Sequence, residues 1–209
     1  MLQVDGYQVY RTLAMKQDAV TVAHCWAHVR RKFFEVAKSG ASPIAAEALR
    51  RIAALYEIEA EIRGQSAEAR QIVRQDRAKP LVNGLKDWCL AKLAEVSKKS
   101  VIAEAIRYAL NQWGGLIRFL DDGRIEIDSN TIERSMRPIA LNRKNALFAG
   151  HDEGGENWAL MASLIETCKL NTVNPTAYLT DVLKLVNNWP NSRLAELTPW
   201  AWATANKTA

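Results

Sequence analysis

The chain has 209 residues, 48% hydrophobic and 24% charged, with 28 Lys and Arg against 23 Asp and Glu, a net charge of +5. That size and balance suit one compact domain, or one domain with an insertion, and they exclude wholesale disorder, collagen-like repeats and low-complexity architecture. No apolar run approaches the roughly 18 residues a membrane span needs, and Met1-Leu2-Gln3-Val4-Asp5 lacks the layout of a signal peptide, so a cytoplasmic protein with no membrane partner is expected. Cys25, Cys89 and Cys168 are odd in number and far apart, which argues against a disulfide framework. A pI near 9.2 is compatible with a polyanionic partner and equally with an ordinary solvated surface.

Leu2-Gln3-Val4 reads as a short apolar strand ending at the turn signal Asp5-Gly6, so the chain begins directly on a core-type strand. Ala19 to Ala23 reads as a second strand. It feeds a helix in which Trp26, Val29 and Phe33 form an apolar face and Arg30-Arg31-Lys32 a basic one. Ser42-Pro43 then opens a helix carrying Ile44, Ala48, Ile52, Leu55, Ile58 and Ile62, closed near Gly64. Ser66 opens another that Pro80 ends or bends, and Leu81, Leu85, Trp88, Cys89, Leu93 and Val96 mark a third. Ser100 caps a fourth, expected to run through Trp113 and stop at Gly114-Gly115.

The periodicity then changes. Ile125 and Ile127 alternate with Glu126 and Asp128 as in a half-buried strand, and Ser129-Asn130 caps a helix bearing Glu133, Arg134 and Arg137. Gly150 to Gly155 lacks the Lys-Ser/Thr of a nucleotide loop and reads as the start of a helix rather than a phosphate cradle. Asn174-Pro175 caps a last long helix ending near Trp189-Pro190, and the Trp200/Trp202 tail is expected to lie on a surface or to be loosely ordered. The pattern as a whole is α+β and helix-dominated.

Three groups of side chains offer chemistry. His24 and His28 flank Cys25, but no second ligand pair completes a zinc set, and structural histidines are the better reading. Arg30, Arg31 and Lys32 form one basic cluster and Arg134, Arg137, Arg143 and Lys144 another; each suits either a solvated helix face or phosphate contacts. Asp5, Asp128 and Glu133 stand at strand ends and on a nearby helix start, where carboxylates can converge on a hard cation such as Mg²⁺. Taken singly, Asp5 is also a turn residue, Asp128 a cap, and Glu133 either a capping partner of Asn130 or the mate of Arg137.

Leu2 to Tyr10, Cys25 to Phe34, Ile127 to Pro138, Arg143-Lys144-Asn145 with Phe148-Ala149-Gly150, and Glu153-Gly154-Gly155 together resemble, in order and spacing, the C-terminal half of insertion-sequence-66-type transposases. The resemblance implies a DDE transposase that cuts and joins DNA by metal-dependent phosphoryl transfer, on an RNase H-like core with a large helical insertion and C-terminal helices. It assigns residues 1–35 to the second part of that core, 36–115 to the insertion, 116–170 to the remainder carrying Glu133, and 171–209 to a C-terminal helical region. It implies Asp5 and Glu133 as catalytic Mg²⁺ or Mn²⁺ ligands, and Arg30, Arg31, Arg134, Arg137, Arg143 and Lys144 as DNA-binding residues; if the two carboxylates share one metal site they should lie within about 4 to 8 Å of each other. DNA is the implied partner, with a homo-oligomer or a full-length transposase as further partners. The family's first catalytic Asp lies upstream of the segment matched here, so a truncated and inactive transposase is expected. The alternative is a non-catalytic basic helical module that binds DNA or a full-length transposase.

Overall fold

Serine caps start three of the helices: Ser42 Oγ accepts the Ala45 amide at 3.3 Å, Ser66 Oγ that of Ala69 at 3.2 Å, and Ser100 Oγ that of Ala103 at 3.3 Å. Each satisfies one of the amides that a helix N-terminus leaves without an intrahelical partner. The computed structural model describes residues 1–4, 12, 20–40, 42–142 and 149–206. Within them the chain forms two compact units, Met1–Thr131 and Ile132–Ala209.

In the first unit, β1 (Leu2–Val4) and β2 (Val22–His24) pair in parallel, with Leu2 opposite Val22 and Val4 opposite His24. Helices α1 (Trp26–Ser39) and α2 (Pro43–Glu61) follow. Then α3 (Ala67–Val73) runs through a π turn (Arg74–Ala78) into α4 (Lys79–Glu95), and α5 (Val101–Asn111) and α6 (Trp113–Leu116) close the helical set. One apolar cluster holds these helices together, among it Trp26, Val29 and Phe33 of α1, Ile52 and Leu55 of α2, Val82 and Leu85 of α4, and Ile106 of α5. A fully buried side chain of this kind contributes about 1.5–3 kcal/mol. Trp26 is its pivot: the indole N–H donates to Leu116 O at 2.9 Å, and the ring meets Trp113 edge-on at 5.7 Å.

Three expectations are corrected here. Ile125 to Asp128 forms no strand. The carbonyl of Ile125 accepts from Arg74 at 2.9 Å, that of Glu126 from the Gln3 side chain at 2.7 Å and that of Ile127 from the Trp26 amide at 3.1 Å, so side chains and a helix start take the groups that a neighbouring strand would need. The helix after Ser100 stops at Asn111, and Gln112 (φ −107°, ψ 5°) separates it from α6, which itself includes Gly114-Gly115. There Gly115 passes so close to His24 that a Cβ would sit 2.7 Å from Nδ1. Pro80 does not end its helix: it follows directly on the π turn Arg74–Ala78, and the chain stays helical from Ala67 through Glu95.

In the second unit, α7 (Asn130–Asn142) continues from the last residues of the first, followed by α8 (Asp152–Leu170), α9 (Pro175–Leu185) and α10 (Pro199–Asn206). Cys168, Val173 and Tyr178 form its core. Of the two expectations for the Trp200/Trp202 segment, a surface position fits and loose order does not: the segment is helical, with Trp202 anchored and Trp200 exposed. Trp202 Nε1–H donates to Asp181 Oδ2 at 2.7 Å, and its ring stands edge-on to Tyr178, whose hydroxyl donates to Leu197 O at 2.7 Å. Gly150 to Gly155 is a helix start: Gly150 has φ +89°, and His151 Nδ1 accepts the Gly154 amide at 3.1 Å. All three cysteines are buried and free. No helix among the described residues is long and apolar enough to cross a membrane.

Candidate nucleic-acid interface

The start of α1 is capped by another part of the chain. Cys25 is the N-cap residue but makes no side-chain cap; the Trp26 amide donates to Ile127 O at 3.1 Å, and the Ser129 amide donates back to Cys25 Sγ at 3.3 Å. These two reciprocal bonds fasten the turn that launches α7 onto the start of the basic helix. Asp128 completes that turn, its Oδ1 accepting the Asn130 amide at 3.0 Å and its Oδ2 the Asn130 side-chain amide at 2.8 Å. The Asn130 amide is thereby used by Asp128, the partner that a capping box would have reserved for Glu133.

The spacing of α1 places Ala27, Arg30, Arg31 and Phe34 on one stripe, three and four residues apart. With Ala53, Tyr56, Glu57 and Ala60 of α2, and with Asn130, they line an open cleft of about 670 Å³ within the first unit. Arg30 and Arg31 are exposed, and among the described residues neither forms an ion pair. Arg50, Arg51 and Arg77, on the adjoining helical segments, are each paired with a glutamate. The cleft rim therefore carries two arginines that form no ion pair among the described residues, with the Glu57 carboxylate also on its lining. At its wall the Tyr56 hydroxyl is covered and lies beside the Asp128 carboxylate. Burial above all, and then the Asp128 carboxylate, pushes its pKa up, while Arg30 pulls the other way.

Behind the turn stands a buried ion pair that the sequence reading passed over. Arg74 is fully buried and meets Glu59 in a two-pronged contact, Nε to Oε1 at 2.7 Å and Nη2 to Oε2 at 2.6 Å. Its Nη1 donates to the carbonyls of Phe119 and Ile125, both at 2.9 Å. One guanidinium thus ties α2 to the segment that leads to Ile127 and Asp128.

The expected site residues are placed as follows. Arg30 and Arg31 stand on α1 at the cleft; Glu133 is half-buried in the first turn of α7, and Arg134 and Arg137 are exposed on the same helix. His24 is held on β2, its Nδ1 within 3.1 Å of Gln112 O, so His24 and His28 do not share a helix face. Asp5, Arg143 and Lys144 lie outside the described residues. Phe34, Tyr56, Asn130, Glu59 and Arg74 are the residues that sequence reasoning missed.

The family model described as "Transposase IS66 family" matches residues 1–157, and that of the "IS66 C-terminal element" matches residues 163–200. Among curated proteins the chain is similar to three from Sinorhizobium fredii (strain NBRC 101917 / NGR234): uncharacterized protein y4jD at 46% identity over 97% of this chain, y4qI at 44% over 96%, and y4hP at 41% over 99%. The chain spans about two fifths of the length of these relatives, 41%, 38% and 40% respectively. No solved structure matches. The two family matches follow one another along nearly the whole chain, which therefore belongs to the IS66 transposase family.

Proposed function

We propose that the chain acts in DNA transposition, supplying the second part of a DDE-type, RNase H-like core that cuts and joins DNA by metal-dependent phosphoryl transfer. On this reading residues 36–115 are the helical insertion, 116–170 return to the core and 171–209 form a C-terminal helical region. The observation that carries it is the fastening of the basic helix to the acid-bearing turn, through Trp26 to Ile127 and Ser129 to Cys25. On this reading Arg30 and Arg31 hold a backbone phosphate beside the turn Ile127–Asn130 of the first unit.

The donor chemistry fits a hard divalent cation. Carboxylate oxygens are what Mg²⁺ or Mn²⁺ takes, and Glu133, half-buried in the first turn of α7, supplies such a donor. Asp5 and Glu133 would hold the ion. When bound, it supplies charge neutralisation at the phosphoryl group. Arg134, Arg137, Arg143 and Lys144 extend the phosphate contacts.

The test is fluorescence anisotropy of a labelled duplex over a salt series, combined with calorimetry of Mn²⁺ binding. Affinity should fall steeply with salt, by about one decade in Kd per decade of salt for each phosphate contact. Arg30→Ala/Arg31→Ala should flatten the slope by about two contacts, and Glu133→Gln should abolish Mn²⁺ binding without altering duplex affinity. A salt-insensitive complex, or an unchanged slope in the double variant, overturns the phosphate assignment. Unchanged Mn²⁺ binding in Glu133→Gln overturns the metal assignment.

A further inference from the structure

Phe34 is 48% exposed although it lies on a helix with an ample apolar face, and among the described residues no ring or cation stacks on it. It follows Arg30 and Arg31 by one helical turn, and with them it lines the cleft whose floor includes Ala27, Ala53 and Ala60. The cleft thus combines two guanidinium groups that form no ion pair among the described residues, an exposed aromatic ring and a shallow apolar floor, with the Glu57 carboxylate also on its lining. A helical rise of about 1.5 Å per residue sets Phe34 about 6 Å along the axis from Arg30, a separation that one nucleotide bridges between its phosphate and its base.

Duplex backbone would use only half of this arrangement. In a duplex the base faces are stacked on one another, so the arginines would be served while Phe34 and the apolar floor would stay in water. A single strand presents both a phosphate and an unstacked base face, and stacking on an aromatic ring is tolerant of sequence because every base has a π face. The arginine charge selects an anionic chain, and the ring beside it selects one whose bases are free.

We propose that the Arg30, Arg31 and Phe34 cleft binds an unpaired nucleotide of single-stranded DNA, with the phosphate on the two arginines and the base laid over Phe34 against the alanine floor. This rests on the phosphate-binding role given to Arg30 and Arg31 above and adds to it a substrate form. A strand end or a displaced strand is the DNA that such a cleft holds.

The experiment uses the whole chain, a single-stranded oligonucleotide containing 2-aminopurine, and a duplex of the same length. The wild-type chain should quench 2-aminopurine fluorescence through stacking. Phe34→Ala should weaken single-strand binding by about 5- to 100-fold and abolish the quench while duplex affinity stays unchanged. Phe34→Trp should preserve both binding and quench, whereas Phe34→Leu should behave like Phe34→Ala, which separates ring stacking from simple bulk. Arg30→Ala/Arg31→Ala should weaken both nucleic acids. If the arginine variant leaves the duplex untouched, the phosphate reading has failed. If it weakens the duplex but Phe34→Ala leaves the single strand unchanged, or weakens both forms equally, the present inference has failed and the phosphate reading survives. Phe34 lies outside the apolar core, and circular dichroism should show wild-type melting for all its variants.

Discussion

Replacing Arg74 with methionine should be among the most damaging single changes in the first unit. Arg74 is 0% exposed and Glu59 6%, so Arg74→Met leaves a carboxylate buried with Arg70, 3.6 Å away, as its remaining ion-pair partner among the described residues. It also strips the donor from the Phe119 and Ile125 carbonyls. Breaking one side of a buried pair costs about 3–5 kcal/mol, set against a total stability of roughly 5–15 kcal/mol for a domain. For a unit of this size that corresponds to a fall in Tm of roughly 10–20 °C. Glu59→Met/Arg74→Met removes the stranded charge as well, and should recover part of the loss but not all of it, because the two carbonyls still lack their donor. Urea unfolding of the wild type, both single variants and the double variant gives the cycle directly. A loss below about 1 kcal/mol in Arg74→Met, or a double variant no better than the worse single, refutes the view that this pair holds the 119–127 segment in place.

The other predictions are smaller in reach. Gly123→Ala would put a Cβ 1.8 Å from the Ala67 carbonyl oxygen, so the backbone must move; a loss of about 1–3 kcal/mol is expected in urea, and a wild-type midpoint would contradict it. Burial pushes the Cys89 thiol up to about 12, so alkylation at pH 8 should be negligible until the chain is unfolded, as mass spectrometry would show. Because folding favours the neutral thiol, its stabilising share is complete below an unfolded pKa of about 8.5 and fades as pH rises toward the folded value. A Cys89→Ala chain should therefore lose less stability over that alkaline window, and identical profiles would refute this. Trp202→Phe keeps the ring against Tyr178 but loses the bond to Asp181, which should cost the second unit about 1–2 kcal/mol; an unchanged melting curve would show that the bond is idle.

Local signals were readable in the sequence where the physics is local. A serine just ahead of a run with helical apolar spacing signals an N-cap, and Ser42, Ser66 and Ser100 all behave so. The alternation at Ile125 and Ile127 misled because a strand is defined by its neighbour, and the neighbours here are an arginine and a helix start. Glu59 did leave a trace: it falls on the spacing of Ile52, Leu55 and Ile62, a charge on an apolar stripe that announces a buried partner. What that partner was could not be read, since Arg74 reaches it only by tertiary packing. The basic half of the cleft was legible from Arg30 and Arg31, whereas its Tyr56 and Asn130 walls come from segments that are distant in the chain.

The π turn between α3 and α4 bears on how the length of this chain can change over evolutionary time. Arg70, Arg74, Ala78 and Val82 follow in steps of four and are all at least half-buried, whereas on a regular α-helix each such step overruns the turn by about 40°. The wider turn takes up that drift. Deleting one residue between Arg74 and Ala78 would let an ordinary helix keep the same apolar face, shorter by about 1.5 Å. Adding one would rotate Val82, Leu85 and Cys89 away from their neighbours by about 100°. Length variation at this point should therefore run one way, in single residues, with losses tolerated and gains removed by selection.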